Sequence, residues 1–272
     1  MFYLKVSNSM SNKYIKNSIV DITTLNKDNK TILDNVYFTA PFKVSPPFYN
    51  EDGSIKVIVM SSSAGIMQGD IHKYHITVND NTKIEVTSQS YEKIHKMEDK
   101  DASRDCKIFV GSNSILKYNP LPTIPFKDSA FNSNMNIVLK DESSKLILTD
   151  IISCGRVASG EKFEYKYYKS YIEVSCLDKL VYVDNTIYSP SSIDMNGLGM
   201  FEGYSHLANI LICNFDNSNE KLDFIREIID NSDEVDGGAT LTQSNDINVK
   251  IFGHSAQKLT RISEKISDFV QL

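Results

Sequence analysis

The chain has 272 residues, of which 41% are hydrophobic, and its 29 basic and 35 acidic side chains give a formal net charge of −6. That much apolar material can build a large core without disulfides or a structural metal. A net negative chain lacks the basic surface that neutralises phosphates, which argues against nucleic-acid binding. Because β-rich folds of roughly 250 residues are often single units, we expect residues 1–272 to form one domain.

Segments that direct proteins to membranes or out of the cell have recognisable sequence patterns. The first ten residues, MFYLKVSNSM, lack the basic segment followed by an apolar run that is typical of a signal peptide. No stretch approaches the roughly 18 apolar residues that cross a bilayer. The four cysteines are far apart and form no CxxC motif, which is typical of reduced thiols. We therefore expect a cytoplasmic protein without a membrane partner.

The first 200 residues alternate between apolar and polar side chains, which predicts β-strands. Residues 74–78 alternate, an Asn-Asp-Asn turn follows at 79–81, and residues 84–86 resume the alternation, which predicts an antiparallel hairpin. Short apolar runs recur about every 8–12 residues from 108 to 148, as in stacked sheets. Residues 162–188 are rich in tyrosine and predict a half-buried antiparallel pair.

After residue 190 the apolar residues follow a helical period. Residues 207–211 show this spacing, and residues 222–229 show it more clearly. Asn217 and Glu220 precede the second segment as a capping box, and the glycine pair at 237–238 is predicted to end it.

The last 30 residues complete the predicted fold. Residues 240–252 return to a strand pattern, and residues 255–272 predict an amphipathic helix. The apolar stripe of that helix consists of Leu259, Ile262, Ile266 and Phe269. The predicted fold is mainly β: one elongated domain of stacked antiparallel sheets, β-helix-like or a sandwich, with two or three helices in the C-terminal third.

Histidine and cysteine would be the ligands of a nickel or zinc site. His72 and His75 form an HxxH motif, which suits a metal when it lies on a helix. Here the motif lies in a predicted strand, where residues three apart point to opposite faces. The other histidines and the cysteines are isolated in the sequence, so no metal site can be assigned from it.

Glycine-rich segments can bind phosphate when they carry the right motif. Gly65 and Gly69 lie in such a segment, but the sequence contains no GxxxxGK[ST] motif, so they predict a tight turn or a bulge. The sequence also shows no GxSxG elbow and no readable serine–histidine–aspartate arrangement. We therefore predict no catalytic residues.

A second glycine-rich cluster lies at residues 155–161. Gly155 and Gly160 are five residues apart, which lets Arg156 and Glu161 turn to the same side of the chain. This spacing favours a local ion pair between the two side chains.

Seven segments, taken in order, resemble the urease accessory protein family UreD, called UreH in some organisms. They are APFKVSPPFY (40–49), AGIMQGD (64–70), EVTSQS (85–90), NPLPTIPF (119–126), GRVASGE (155–161), DN (184–185) and GLG (197–199). Each motif alone is weak, but their order and spacing are specific. In the second segment Ala64 and Gln68 stand where the family usually has the first glycine of a pair, and Asp70 is kept.

The resemblance implies a non-enzymatic scaffold, or chaperone, that helps nickel reach apo-urease. Its implied partners are a UreF-type bridging protein, a UreG-type GTPase and the urease subunits. Nickel would bind transiently, and no cofactor would be held tightly. Among the matched motifs, Asp70, Thr87, Ser88 and Glu161 are the oxygen-bearing residues that could line a nickel-transfer path, because oxygen ligands exchange nickel faster than thiolate or imidazole.

Two other functions remain open at this point. One is a β-sandwich module that binds a small anion or sugar. The other is an acid/base enzyme that uses Asp70 and Glu161, which would require converging carboxyls in a pocket. For the scaffold, we expect the helical segments of the last third to contribute to the surface that meets the UreF-type protein.

Overall fold

A computed structural model describes residues 17–271, which form two large β-sheets and two α-helices. The strands are β1 (Ser18–Lys27), β2 (Lys30–Phe38), β3 (Phe42–Val44), β4 (Phe48–Tyr49), β5 (Ile55–Ser61), β6 (Ile71–Val78), β7 (Lys83–Ser88), β8 (Glu92–Ile94), β9 (Ala102–Val110), β10 (Ile115–Asn119), β11 (Thr123–Pro125), β12 (Ala130–Leu139), β13 (Lys145–Ser153), β14 (Tyr167–Cys176), β15 (Lys179–Tyr188), β16 (His206–Cys213), β17 (Val235–Leu241) and β18 (Ile247–Gly253). The helices are α1 (Ser218–Asp230) and α2 (Ala256–Gln271), and a 3₁₀ turn covers Val157–Ser159.

The chain winds back and forth between the two sheets, so the β-helix-like alternative is the better description. The seven-stranded sheet has the order β15-β14-β12-β9-β6-β1-β2, and the eleven-stranded sheet is built on the order β17-β18-β16-β13-β10-β7-β5-β3. From β5 to β14 the main strands fall alternately in one sheet and the other. Each strand therefore lies beside the strand that came one full turn earlier.

This winding corrects the predicted pairing. The strands at the centre of both sheets are parallel, as in β6–β9, β9–β12 and β7–β10, and antiparallel pairs occur towards the ends, as in β14–β15 and β16–β18. The predicted hairpin at residues 74–86 is wrong, because its turn leads from β6 in one sheet to β7 in the other. Alternation reports which face of a strand is buried, but it does not identify the neighbouring strand.

Three of the C-terminal predictions are also wrong. Residues 207–211 form part of β16, which is buried on both faces and therefore lacks a clear strand period. Asn217 caps α1 in a left-handed conformation without a side-chain hydrogen bond, so the capping box is absent. The glycine pair at 237–238 lies inside β17, since α1 already ends at Asp230.

The two helices pack on the outer face of the eleven-stranded sheet through their apolar stripes. Leu259, Ile262 and Ile266 of α2 are buried in a cluster with residues of α1, β16 and β18. Phe269 is half-buried and stacks on Phe224 of α1 at 3.6 Å between ring centroids. Leu272, the predicted end of the last helix, lies outside the described residues. Within residues 17–271 no helix is long and apolar enough to span a membrane.

The space between the two sheets holds the main core, arranged in rows across the strands. Neighbouring strands are in register, so inward-facing side chains at matching positions form a line. Two such rows on the seven-stranded sheet are apolar or nearly so. One consists of Ile22, Ile76, Ile108, Ile137 and Val174, and the next of Val20, Tyr74, Cys106, Met135 and Ile172.

Candidate functional site

The next inward-facing row of the seven-stranded sheet is polar across six strands. The strand register aligns Ser18 with His72, His72 with Arg104, Arg104 with Ser133, Ser133 with Ser170, and Ser170 with Thr186. We call these six residues the polar row. All but Thr186 are at most 9% exposed. An unbroken polar row inside a β-sheet interior needs internal partners, because buried polar groups without them are costly.

Arg104 lies in the middle of the polar row and is 5% exposed. Its Nη1 donates a hydrogen bond to Oε2 of Glu92 at 2.6 Å, while Nε and Nη2 donate to Oγ of Ser133 at 3.3 and 3.0 Å. Burial opposes the charged guanidinium, but the Glu92 carboxylate raises the pKa of Arg104 above its ordinary value. A buried cation of this kind is stable only while its counter-ion is present.

A second carboxyl faces the polar row from the eleven-stranded sheet. Asp150 lies on β13, and burial raises the pKa of its carboxyl while Arg104 opposes that rise. Asp150 lines a small pocket of about 30 Å³ with Ser170 and Thr186 of the polar row. Tyr168 also lines this small pocket, and its buried hydroxyl has no hydrogen-bond partner in the structure.

A large pocket of about 180 Å³ lies beside the part of the polar row that contains His72. Its lining residues include His72 of the polar row, Glu92, Tyr118 and the predicted site residues Thr87 and Ser88. Arg104 and Ser133 stand between His72 and Ser170 in the row. The polar row therefore extends from the large pocket to the small pocket across the interior.

His72 contributes an imidazole to the lining of the large pocket, and its side chain is 5% exposed. Its Nε2 lies 3.9 Å from Oδ2 of Asp70, and its buried Nδ1 has no hydrogen-bond partner. Burial lowers the pKa of His72, although the nearby Glu92 and Asp70 carboxylates act in the opposite direction. Burial of the ring therefore favours its neutral form. His75 is 43% exposed, which confirms that the two histidines of the HxxH motif point to opposite faces of β6.

The structure brings two of the four predicted path residues, Thr87 and Ser88, to the large pocket. Thr87 Oγ1 donates to the carbonyl oxygen of Asn119 at 2.8 Å, and Ser88 Oγ accepts from the backbone N–H of Leu121 at 2.8 Å. Asp70 lies beside His72, and its Oδ2 accepts from the backbone N–H of Met67 at 2.7 Å.

Gly65 lines the large pocket and lies in a bend of the chain, and a tight turn follows at Gln68–Gly69. The φ of Gly65 is +152°, and a Cβ at this position would lie 2.4 Å from the carbonyl oxygen of Lys93. Gly69 has a φ of +79°, where a side chain is strained, but the space around it is open apart from Lys100 Cδ at 3.9 Å. The first glycine is therefore required by space as well as by conformation.

The predicted ion pair between Arg156 and Glu161 is confirmed and is bidentate. Arg156 Nε donates to Glu161 Oε2 at 2.8 Å, and Nη2 donates to Oε1. The Arg156 contact lowers the pKa of Glu161. Glu161 also accepts a hydrogen bond from the backbone N–H of Lys127, which ties two loops together.

The glycines of this second cluster make the loop possible. Gly155 has a φ of +140°, and a Cβ there would lie 2.8 Å from the carbonyl oxygen of Glu161. Gly160 ends the 3₁₀ turn in a left-handed conformation. Glu161 does not line either pocket of the polar row.

No preformed metal cage is present in the described part of the chain. Among residues 17–271, no group of three or more histidine, cysteine, aspartate or glutamate side chains is arranged to hold a metal ion. All four cysteines are buried free thiols, as expected. The polar row therefore offers isolated ligands rather than a tight chelate.

Sequence reasoning missed Arg104, Glu92 and Asp150. A signal for two of them was present: Arg104 stands at an inward position of an otherwise apolar alternation, and Asp150 interrupts the buried run of β13. The winding of the chain was needed to show that these residues share one interior row.

Comparison with known proteins identifies the family. The model of the UreD urease accessory protein family matches residues 17–271. The chain belongs to the UreD family. It is 36% identical to the urease accessory protein UreH of Helicobacter pylori strain G27 over 257 residues, which cover 94% of this chain and 96% of that protein. It is 34% identical to UreD of Acetivibrio thermocellus over 96% of this chain and all of that protein, and 27% identical to UreD of Bacillus cereus over 93% of each. These UreD-family matches cover both sheets and both helices.

Proposed function

We propose that this UreD-family chain, which has a role in urease maturation, delivers nickel to apo-urease along the polar row. The polar row is the observation that carries the proposal. Members of the row line two separate pockets, and oxygen ligands lie near both. Thr87 and Ser88 line the large pocket, Asp70 lies beside His72, and Asp150 lines the small pocket. Oxygen ligands bind nickel weakly enough for it to move on.

The charges along the row suit a cation that passes through and does not stay. Glu92 and Asp150 supply negative charge, which attracts a divalent ion. Arg104 neutralises part of that charge, since it is bonded to Glu92 and lowers the pKa of Asp150 against the effect of burial. A carboxylate that already has a buried counter-ion cannot hold nickel as strongly as a free one.

The partners in this proposal are a UreF-type protein, a UreG-type GTPase and apo-urease, and the assembly is cytoplasmic. The chain would act as a one-domain scaffold that joins them, and α1 and α2 would contribute to the surface for the UreF-type protein. The names of the relatives support an accessory role in urease maturation. Co-expression of this chain with a UreF-type protein, followed by co-purification, tests the first contact.

An acid/base enzyme based on Asp70 and Glu161 has less support. A general acid needs a carboxyl with a raised pKa, whereas the ion pair with Arg156 lowers the pKa of Glu161. Within residues 17–271, no hydrogen bond or ion pair joins the two carboxyls. A site for a small anion is also disfavoured, because Asp70 and Glu92 bring negative charge to the large pocket.

The proposed path is tested by removing one interior charge while its shape is kept. Asp150→Asn should lower urease activation in a reconstituted system, because the ion loses a carboxylate worth several kcal/mol at about 4 Å and an effective dielectric of about 20. Activation should be normalised to the amount of complex formed. Asp105→Asn removes the same charge from the outward register of β9, next to Arg104, and should leave activation unchanged.

Asp70→Asn tests the large pocket in the same assay. Activation should fall while the complex forms normally. Normal activation by both Asp70→Asn and Asp150→Asn would remove the polar row from the function, even if the chain still joins its partners.

A further inference from the structure

Oxygen ligands alone would make the polar row poorly selective for its ion. Carboxylates and hydroxyls also bind Mg²⁺, Ca²⁺ and Mn²⁺. Imidazole, in contrast, binds nickel well and is a poor ligand for Mg²⁺. A selective path therefore needs a nitrogen ligand at a place where the ion can reach it. This inference rests on the proposed function, since it concerns the same path.

His72 is the histidine that lines the large pocket, and it is not part of a satisfied hydrogen-bond network. Its Nδ1 is buried and has no partner, although buried nitrogen and oxygen atoms are nearly always hydrogen-bonded. The ring lies edge-on to Phe42, with 4.8 Å between ring centroids, so packing fixes its position. The ring that lines the large pocket therefore has a nitrogen that no protein group uses.

The other ring nitrogen of His72 faces a carboxylate. Nε2 lies 3.9 Å from Oδ2 of Asp70. This separation is longer than a hydrogen bond, so Asp70 places a negative charge beside the ring without fixing its tautomer.

We propose that the imidazole of His72 is a transient nickel ligand that makes the path select Ni²⁺ over Mg²⁺. Packing against Phe42 holds the ring, and the neighbouring Glu92 and Asp70 supply negative charge to the bound ion. One imidazole and water complete a weak site, in agreement with the lack of a three-ligand cluster among residues 17–271.

The ligand is tested directly by nuclear magnetic resonance on the full chain labelled with ¹⁵N-histidine. Small additions of NiCl₂ in excess MgCl₂ should broaden the His72 ring signals first, because Ni²⁺ is paramagnetic. His75 on the outer face of the same strand is the internal reference and should stay sharp at those concentrations. Broadening of His75, His95 or His254 without His72, or no selective broadening, would overturn the proposal. This measurement needs no partner and no urease.

The selectivity is tested by His72→Phe, which keeps an aromatic ring against Phe42 but removes both nitrogens. Activation of apo-urease in excess Mg²⁺ should need about tenfold more nickel than with the parent chain, as is typical when a metal site loses one supporting interaction. His75→Gln is the matched control and should need the same nickel as the parent. An unchanged nickel requirement for His72→Phe would contradict the proposal.

The two tests separate this inference from the proposed function. If the parent chain fails to activate urease at all, the proposed function fails, and the resonance experiment still decides whether His72 binds nickel. If the parent activates urease but His72 signals do not respond, the path exists without the imidazole, and this inference is wrong. Should His72→Phe fail to fold, the resonance experiment on the parent chain remains decisive.

Discussion

Strand β9 shows two opposite solutions to the same packing problem. Its inward residues Ile108 and Val110 lie in apolar rows that are closed to water, whereas Arg104, on the same face of the same strand, lies in the polar row. The apolar part needs only shape and burial for stability. The polar part needs partners for its buried charge, as Arg104 has Glu92 and Ser133.

The difference teaches how a wound β fold can carry a function in its interior. Because the strands are parallel and in register, polar side chains at matching positions form a continuous line across the sheet. The apolar rows stabilise the fold, and the polar row supplies the groups of the proposed nickel path. Substitutions in the apolar rows and in the polar row should therefore have different consequences.

The largest expected effect comes from removing the buried cation. Arg104→Met should lower the free energy of unfolding by about 3–5 kcal/mol, because it leaves the Glu92 carboxylate without its counter-ion. Glu92→Gln in the same chain should restore most of that loss, since it removes the uncompensated charge. Denaturant unfolding of the two single variants and the double variant measures this coupling.

Ile108→Ala is the comparison in the apolar rows. It should cost about 2–5 kcal/mol through the cavity it leaves. Glu92→Gln should not restore that loss. Equal rescue of Arg104→Met and Ile108→Ala, or no rescue of either, would contradict the distinction between the two parts.

The next effect concerns pH and a second buried histidine. His206 is 8% exposed, its Nδ1 is 2.8 Å from Ser205 Oγ, and burial lowers its pKa to about 4. The unfolded chain, with an ordinary histidine pKa near 6.5, then binds more protons than the folded chain between these values. The stabilisation is complete above about pH 6.5 and falls, by up to about 3 kcal/mol, as the pH drops towards 4.

Unfolding free energies of the parent and of His206→Gln at pH 7, 5.5 and 4.5 measure this contribution. The difference between the two chains should shrink as the pH falls. A difference that is constant with pH would show that His206 is not held neutral by the fold.

A smaller effect is expected at the turn beside the large pocket. Gly65→Ala should destabilise the chain by about 1–3 kcal/mol, because its Cβ would meet the Lys93 carbonyl oxygen at 2.4 Å. Gly69→Ala should cost only about 1 kcal/mol, since its φ is strained but its surroundings are open. Thermal unfolding of both variants checks the order, and the reverse order would contradict the account of this turn.

The smallest effect on stability is expected at the Arg156–Glu161 pair, which is partly exposed to solvent. Glu161→Gln should loosen the loop at 155–161, because it removes the bidentate acceptor. Limited proteolysis measures that loosening, and urease activation per complex measures the role of Glu161 in the nickel path. A fall in activation without faster loop cleavage would favour a role of Glu161 in the nickel path. A fall that parallels loop cleavage would favour a structural role of the Arg156–Glu161 pair.

The sequence predicted the burial of individual strands better than their arrangement. The inward positions of β6 and β9 follow from alternation, and the glycine turn at Gly65 and the Arg156–Glu161 pair follow from local spacing. Such features depend on residues close in sequence. The parallel order of the strands does not, because the neighbour of each strand lies one full turn away along the chain.

The candidate site was only partly visible for the same reason. Thr87 and Ser88 were found through family motifs, and they do line the large pocket. Arg104 and Asp150 lie in none of the family motifs. They can be recognised as part of the site only from the strand arrangement that brings them close to His72 and Ser170. Their pairing is a property of the winding, which alternation cannot report.

The central claim is that nickel passes through the polar row between the sheets. Ser170→Val tests it most directly, because it adds bulk and removes a hydroxyl where the row meets the small pocket. Ser175→Val makes the same change on the outward register of the same strand. With complex formation verified for both, we predict a loss of nickel-dependent urease activation for Ser170→Val and none for Ser175→Val. Full activation by Ser170→Val in an intact complex would contradict the claim.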